Sequence, residues 1–202
     1  SETTYTFHMA DSKVTVEASF KLIETEPENP FTDISKSDYF YDAVLWAVDK
    51  GITSGTGGTT FSPNASCTRG QMVTFLWRAA GSPAPKSAET PFTDVNKGDY
   101  LYDAVLWAVE QGITSGTSAT TFSPNATVTR GQTVTFLWRA NASPVVNYAM
   151  DFTDVAADAY YAEAVRWAVS EGVTAGTGDK AFSPDADCTR AQIVTFMYRD
   201  AR

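Results

Sequence analysis

Val44, Ala47 and Val48 follow the i, i+3, i+4 spacing of a buried helical face, and Tyr39, Ala43 and Trp46 form an adjacent stripe. The pattern predicts a helix from Tyr39 to Lys50, with counterparts from Tyr100 to Gln111 and Tyr160 to Glu171. Asp42, Asp103 and Glu163 sit in the early turns, where negative charge suits the helix dipole. Gly51, Gly112 and Gly172 stand where a helix ends in a left-handed residue. A second helix is predicted from Thr68 onwards, its buried face made by Val73, Leu76, Trp77 and Ala80, with Trp77 and Trp138 read as core. Thr68 with Gln71 has the capping-box spacing, repeated at Thr129/Gln132 and Thr189/Gln192. Between the two helices lies a loop with Thr-Ser-Gly-Thr and a Phe-Ser-Pro turn. There the Phe is expected to plug the core and the Pro to prevent an early helix start.

The unit of helix, ordered loop and helix occurs three times. Phe31-Thr32-Asp33 recurs as Phe92-Thr93-Asp94 and Phe152-Thr153-Asp154, and each Asp precedes the Arg of a Thr-Arg-Gly/Ala-Gln motif by 36 residues. Loops between elements ordinarily gather insertions, so the fixed spacing marks the loop as structured. A repeat of about 60 residues buries too little surface to be comfortable alone, and three copies are read as one cooperative unit. The repeats are placed at 31–83, 92–143 and 152–202. Gly81-Ser82-Pro83-Ala84-Pro85 and Asn141-Ala142-Ser143-Pro144 read as linkers. Residues 1–30 differ in kind. Thr4 to Met9 and Lys13 to Lys21 alternate with the period of strands, which predicts the last hairpin of an upstream β domain. The unpaired edge of that hairpin is a candidate for self-association.

Net charge is −9, which argues against nucleic-acid or anionic-membrane partners, since both need clustered Lys and Arg. No apolar run approaches the roughly 20 residues of a membrane span, so no membrane insertion is expected. The chain has neither an initiator Met nor a signal peptide and reads as an excised piece of a longer protein. Cys67 and Cys188 share one slot with Val128, each just before a capping Thr. They are read as free, buried thiols packed as hydrophobic staples on Met72 and Ile193.

The candidate chemistry centres on Arg69, Arg130 and Arg190. Each falls on a first helical position, where a cation is mildly disfavoured. Helix stability therefore does not select it. A guanidinium beside helix N–H groups makes a carboxylate or phosphate receptor. The competing reading is an ion pair with Asp33, Asp94 or Asp154. Trp46, Trp107 and Trp167 are candidates for stacking on sugar rings, though such a stripe is more commonly core. Gly55, Gly116 and Gly176 are read either as positive-φ turn residues or as places of close ligand approach. Catalytic constellations are absent: His8 is the only His, an acidic calcium loop is missing, and no metal-ligand cluster occurs. The stretch is expected to be no enzyme and to need no cofactor.

The ordered combination of Phe-Thr-Asp, a helix ending in Gly-Ile, Phe-Ser-Pro and Thr-Arg-Ala/Gly-Gln resembles the S-layer homology (SLH) domain, in three consecutive copies over residues 31–202. The resemblance implies a mainly α fold of three helix-loop-helix repeats, arranged as a pseudo-threefold, three-pronged bundle with grooves between the prongs. It also implies non-covalent anchoring of a surface protein to secondary cell wall polysaccharide, often through pyruvylated N-acetylmannosamine, at the bacterial cell surface. A pyruvyl ketal carries a carboxylate, in keeping with the arginines. The motif departs from the family where Tyr39, Tyr100 and Tyr160 replace a common Trp, and where Gly70 and Gly131 stand in the slot of Ala191. Residues 7–20 resemble the closing strands of small bacterial surface repeats. The alternative function is protein–protein assembly in a surface layer.

Overall fold

The computed structural model describes residues 28–202. The hairpin expected in residues 1–30, and any self-association through it, falls on residues outside that range. Six helices form among the described residues: α1 (Tyr41–Asp49), α2 (Arg69–Ala79), α3 (Tyr102–Glu110), α4 (Arg130–Ala140), α5 (Ala162–Ser170) and α6 (Arg190–Asp200).

The first helix of repeat one begins two residues later than its periodicity predicts. A turn precedes it, in which Ser35 N–H donates to the Asp38 carboxylate and Tyr41 N–H donates to the Asp38 carbonyl. Tyr39 lies in this turn and stays 65% exposed, so it drops out of the stripe, while Ala43 is buried and Trp46 packs against the core. Gly51, at φ 67°, ends α1, with Ile52 N–H returning to the Ala47 carbonyl. The second helices open as expected, with both halves of the capping box formed at Thr68, Thr129 and Thr189.

The two helices of a repeat are not each other's main partners. α2 packs on α3, α4 on α5, and α6 returns to α1, while α4 also touches α2 and α6. Each second helix thus covers the first helix of the next repeat, and repeat three closes back on repeat one. One continuous apolar core results, with Phe61, Phe122 and Phe182 fully enclosed as plugs.

The closure is also written in the backbone. Cys67 N–H donates to the Cys188 carbonyl, Cys188 N–H to Val128, and Val128 N–H to Cys67, a three-membered ring of 2.9–3.0 Å hydrogen bonds. Both cysteines are free and buried, as expected, and Met72 and Ile193 are enclosed with them.

Trp77 and Trp138 are half-buried at the core's edge, where their indole N–H groups donate to the Pro83 and Pro144 carbonyls at 2.9 Å. The core assignment made for them from the sequence is therefore too strong, because the indole nitrogen needs a polar partner. The linkers are tied down: Lys86 and Ser87 N–H groups donate to the Glu110 carboxylate.

Candidate functional site

The three arginines enter the site from the starts of α2, α4 and α6. Arg69 Nε donates to the Phe122 carbonyl, Arg130 Nε to Phe182 and Arg190 Nε to Phe61, each at 2.9 Å. Every one of these carbonyls belongs to the neighbouring repeat's Phe-Ser-Pro turn. The guanidiniums lie over ring pairs: Phe122 and Phe136 for Arg69, Phe182 and Phe196 for Arg130, Phe61 and Phe75 for Arg190, with centroids 4.9–5.5 Å away. Only 3–4% of each arginine is exposed. Burial lowers all three pKa values from the usual arginine value, yet a guanidinium stays charged in a protein.

None of the three forms an ion pair among the described residues. The pairing with Asp33, Asp94 or Asp154 weighed from the sequence does not occur. Those carboxylates cap the Phe-Ser-Pro turns instead: Asp33 accepts from Phe61 N–H and Ser62 N–H at 2.8 and 2.7 Å, and Asp94 and Asp154 do likewise. The guanidinium positive charge is thus met by backbone carbonyls, ring faces and neutral side-chain oxygens, Arg69 Nη1 donating to Gln132 Oε1 at 3.4 Å. Arg69 Nη2 and Arg130 Nη2 are buried without a hydrogen-bond partner, whereas Arg190 Nη2 reaches Thr53 Oγ1 at 3.3 Å. A buried donor on a charged group left unmade is costly, and an incoming anion would relieve it.

The expected contribution of open helix N-termini needs correcting. Arg69 N–H and Gly70 N–H donate to the Ala126 and Pro124 carbonyls, and Gln71 N–H donates to Thr68 Oγ1. The same closure holds at α4 and α6, so these amides are engaged within the protein.

A cavity of about 320 Å³ opens at Arg69, lined by Thr114 to Thr117, Gln132, Thr135, Phe136, Arg139 and Tyr160. It draws on all three repeats, with Arg69 from the first, Thr114 to Arg139 from the second and Tyr160 from the third. Burial pushes the Tyr160 hydroxyl up, while Arg69 and Arg139 oppose that rise. Tyr39 stands in the same relation to Arg130 and Arg199, and Tyr100 to Arg190 and Arg78. The second arginine of each set is anchored by its own repeat, as when Arg139 Nη1 donates to the Ile113 carbonyl at 3.2 Å.

Gly116 lies in the cavity wall beside Arg69. At φ 86°, a Cβ there would fall 2.5 Å from Phe92 and from the Thr121 carbonyl. Gly55 and Gly176 are enclosed in the same way by Phe31 and Phe152. The tryptophans are elsewhere. Trp107 and Trp167 are buried, and Trp46 packs at a tilt against Tyr198, with ring centroids 5.6 Å apart. Trp46 and Trp107 line a separate cavity with Ala79, Ala140 and Asp200, at the C-terminal ends of the second helices. An 11-residue helix, about 16 Å long, separates that end from the arginines. The exposed aromatics near the arginines are the tyrosines, which in the sequence look like part of a helical stripe. Only their place in the preceding turn sets them free.

The sequence profile of the S-layer homology domain matches residues 30–73, 91–134 and 151–194. The chain belongs to this family. It is 30% identical over 85% of its length to an endoglucanase of Bacillus sp. (strain KSM-635), where it spans 19% of that protein. It is equally similar, over 85% of its length, to the surface-layer 125 kDa protein of Lysinibacillus sphaericus, spanning 14% of it. A cell surface protein of Thermoanaerobacter kivui is 30% identical over 55% of the chain and is matched over 15% of its own length. The chain therefore covers less than a fifth of these relatives. SLH domains generally anchor surface proteins to the cell wall and are not catalytic modules, and this chain is a cell-surface, wall-associated segment. No helix among the described residues is long and apolar enough to cross a membrane.

Proposed function

We propose that the inter-repeat grooves anchor a surface protein by binding secondary cell wall polysaccharide through an acidic group, a pyruvyl ketal carboxylate being the chemistry that the family resemblance favours. The observation that carries this reading is the buried guanidinium without a carboxylate partner, at Arg69 and Arg130 above all. A carboxylate entering the groove would complete its hydrogen bonds in a site of low dielectric. Gly116, with Gly55 and Gly176 in the equivalent grooves, lets the loop backbone line the wall. Tyr160, Tyr39 and Tyr100 offer ring faces to sugar. In this reading Trp46, Trp107, Trp167, Asp33, Asp94 and Asp154 act by holding the groove's frame rather than by touching glycan. The three-pronged outline belongs to the same reading.

The experiment is co-sedimentation with purified sacculi, before and after hydrofluoric acid strips the polysaccharide. Binding is expected to vanish with the polysaccharide. Arg69→Lys combined with Arg130→Lys keeps charge but loses the planar fork, and should weaken binding by tenfold or more while leaving the circular dichroism unchanged. Wild-type affinity in that folded variant would overturn the role of the arginines. Undiminished binding to stripped sacculi would overturn the polysaccharide reading, and self-association of the chain in the absence of sacculi would favour protein–protein assembly.

A further inference from the structure

The sequence places Cys67 and Cys188 at equivalent positions of the first and third repeats, 121 residues apart. The fold brings them together. Bridges of antiparallel type join Ser66 to Thr189, Thr68 to Thr127 and Thr129 to Asp187. In that register Cys67 stands directly opposite Cys188, and each also stands opposite Val128. The Cys67 N–H to Cys188 carbonyl bond, at 3.0 Å, fixes the pairing. Directly opposed residues of an antiparallel pair project their side chains to the same face, with Cα atoms about 4.5–5.5 Å apart. That separation lies within the range of about 4.4–6.8 Å found for disulfides. Both side chains are fully enclosed.

Cys67 and Cys188 are free thiols in this structure; we propose that under oxidising conditions they form an intramolecular disulfide that locks repeat three to repeat one across the pseudo-threefold axis. Val128 in the third slot means that the bond leaves no odd thiol. The setting suits it, since a cell-surface segment works where disulfides persist. Balance requires a two-electron oxidant of the disulfide class. One cysteine thiolate attacks oxidised glutathione and releases one glutathione thiolate. The second cysteine thiolate then attacks the mixed disulfide and releases the other. The protein loses two electrons and two protons, and the oxidant becomes two thiols.

Timing follows from burial. Desolvation pushes the Cys67 thiol up to about 12 and the Cys188 thiol up to about 11, so few thiolates exist once the core has closed. The bond therefore forms while the chain is closing its ring, and the folded, reduced protein resists oxidation.

The test is to unfold and reduce the full chain, then refold it in a mixture of reduced and oxidised glutathione. Thiols are counted by alkylation in denaturant, with mass spectrometry of the digest. The expected monomer has no free thiol, a mass lower by two hydrogens, and a linked peptide pair containing Cys67 and Cys188. Its melting temperature should fall when reductant is added. Cys188→Val, which copies the slot of Val128, should refold with one free thiol and a melting temperature indifferent to reductant. A folded monomer with two alkylatable thiols, or bonds formed only between chains, overturns the proposal. If refolding yields are poor, secretion of the chain into an oxidising periplasm followed by the same count decides by the same two outcomes.

Discussion

Asp33 accepts two backbone N–H bonds, from Phe61 and Ser62, that no other group nearby offers to take. Burial pushes its pKa up, but those two bonds, with its own N–H and the Arg190 charge, outweigh it and the net shift is downward; Asp154 behaves likewise. A carboxylate whose folded pKa lies below its unfolded value of about 3.9 stabilises the fold above that value. The contribution disappears as pH falls through the depressed folded pKa. Thermal melts from pH 7 down to pH 2 should therefore show stability lost below about pH 4, and Asp33→Asn should flatten that acid limb. At neutral pH, Asp33→Ala should cost about 1–3 kcal/mol, because two partly buried donors lose their acceptor. Chemical denaturation measures it. The repetition of Phe-Thr-Asp was legible in the sequence. Its purpose was not, since the partner amides lie 28 and 29 residues onward in a turn that periodicity does not describe.

At the scale of elements, the second helices read well because their caps are local: Thr and Gln three apart need only each other. Thr129→Ala should cost about 1 kcal/mol by equilibrium unfolding. The first helices lack a side-chain cap at Phe40, Leu101 and Tyr161, so the sequence signalled their start less sharply and their predicted boundary ran early. The glycines separate two effects. Gly112, at φ 69°, has open space where a Cβ would go, and Gly112→Ala should cost about 1–2 kcal/mol for its left-handed backbone alone. Gly116 adds a 2.5 Å clash with Phe92 and Thr121, so Gly116→Ala should cost clearly more in the same unfolding series. Equal losses would show that the loop relaxes freely. The arginines were legible as odd choices for a first helical position. What completes them was hidden, because the Phe122, Phe182 and Phe61 carbonyls come from a different repeat and spacing within one repeat cannot show it.

Across the whole molecule, the order of the chain and the order of the ring differ only at one seam, where α6 covers α1. A permuted chain with residues 92–202 first, joined by a flexible linker to residues 28–91, cuts between repeats one and two and bridges that seam. It should melt cooperatively within a few degrees of the parent, by calorimetry. Residues 31–91 alone should fail to melt cooperatively, since α1 lacks α6 and α2 lacks α3.

The seam also decides how such a segment yields to force. A stack of repeats with two free ends can peel from one end, unit by unit, each release leaving the rest intact. Here a pull on the N-terminal side meets α1 held beneath α6, the last helix of the chain. Dislodging α1 uncovers the face of α6 packed on it, and drawing the rest of repeat one after it breaks the three-membered hydrogen-bond circuit that all three repeats share. The tether then has no partly unravelled resting state: it holds whole, or it lets go in a single rupture.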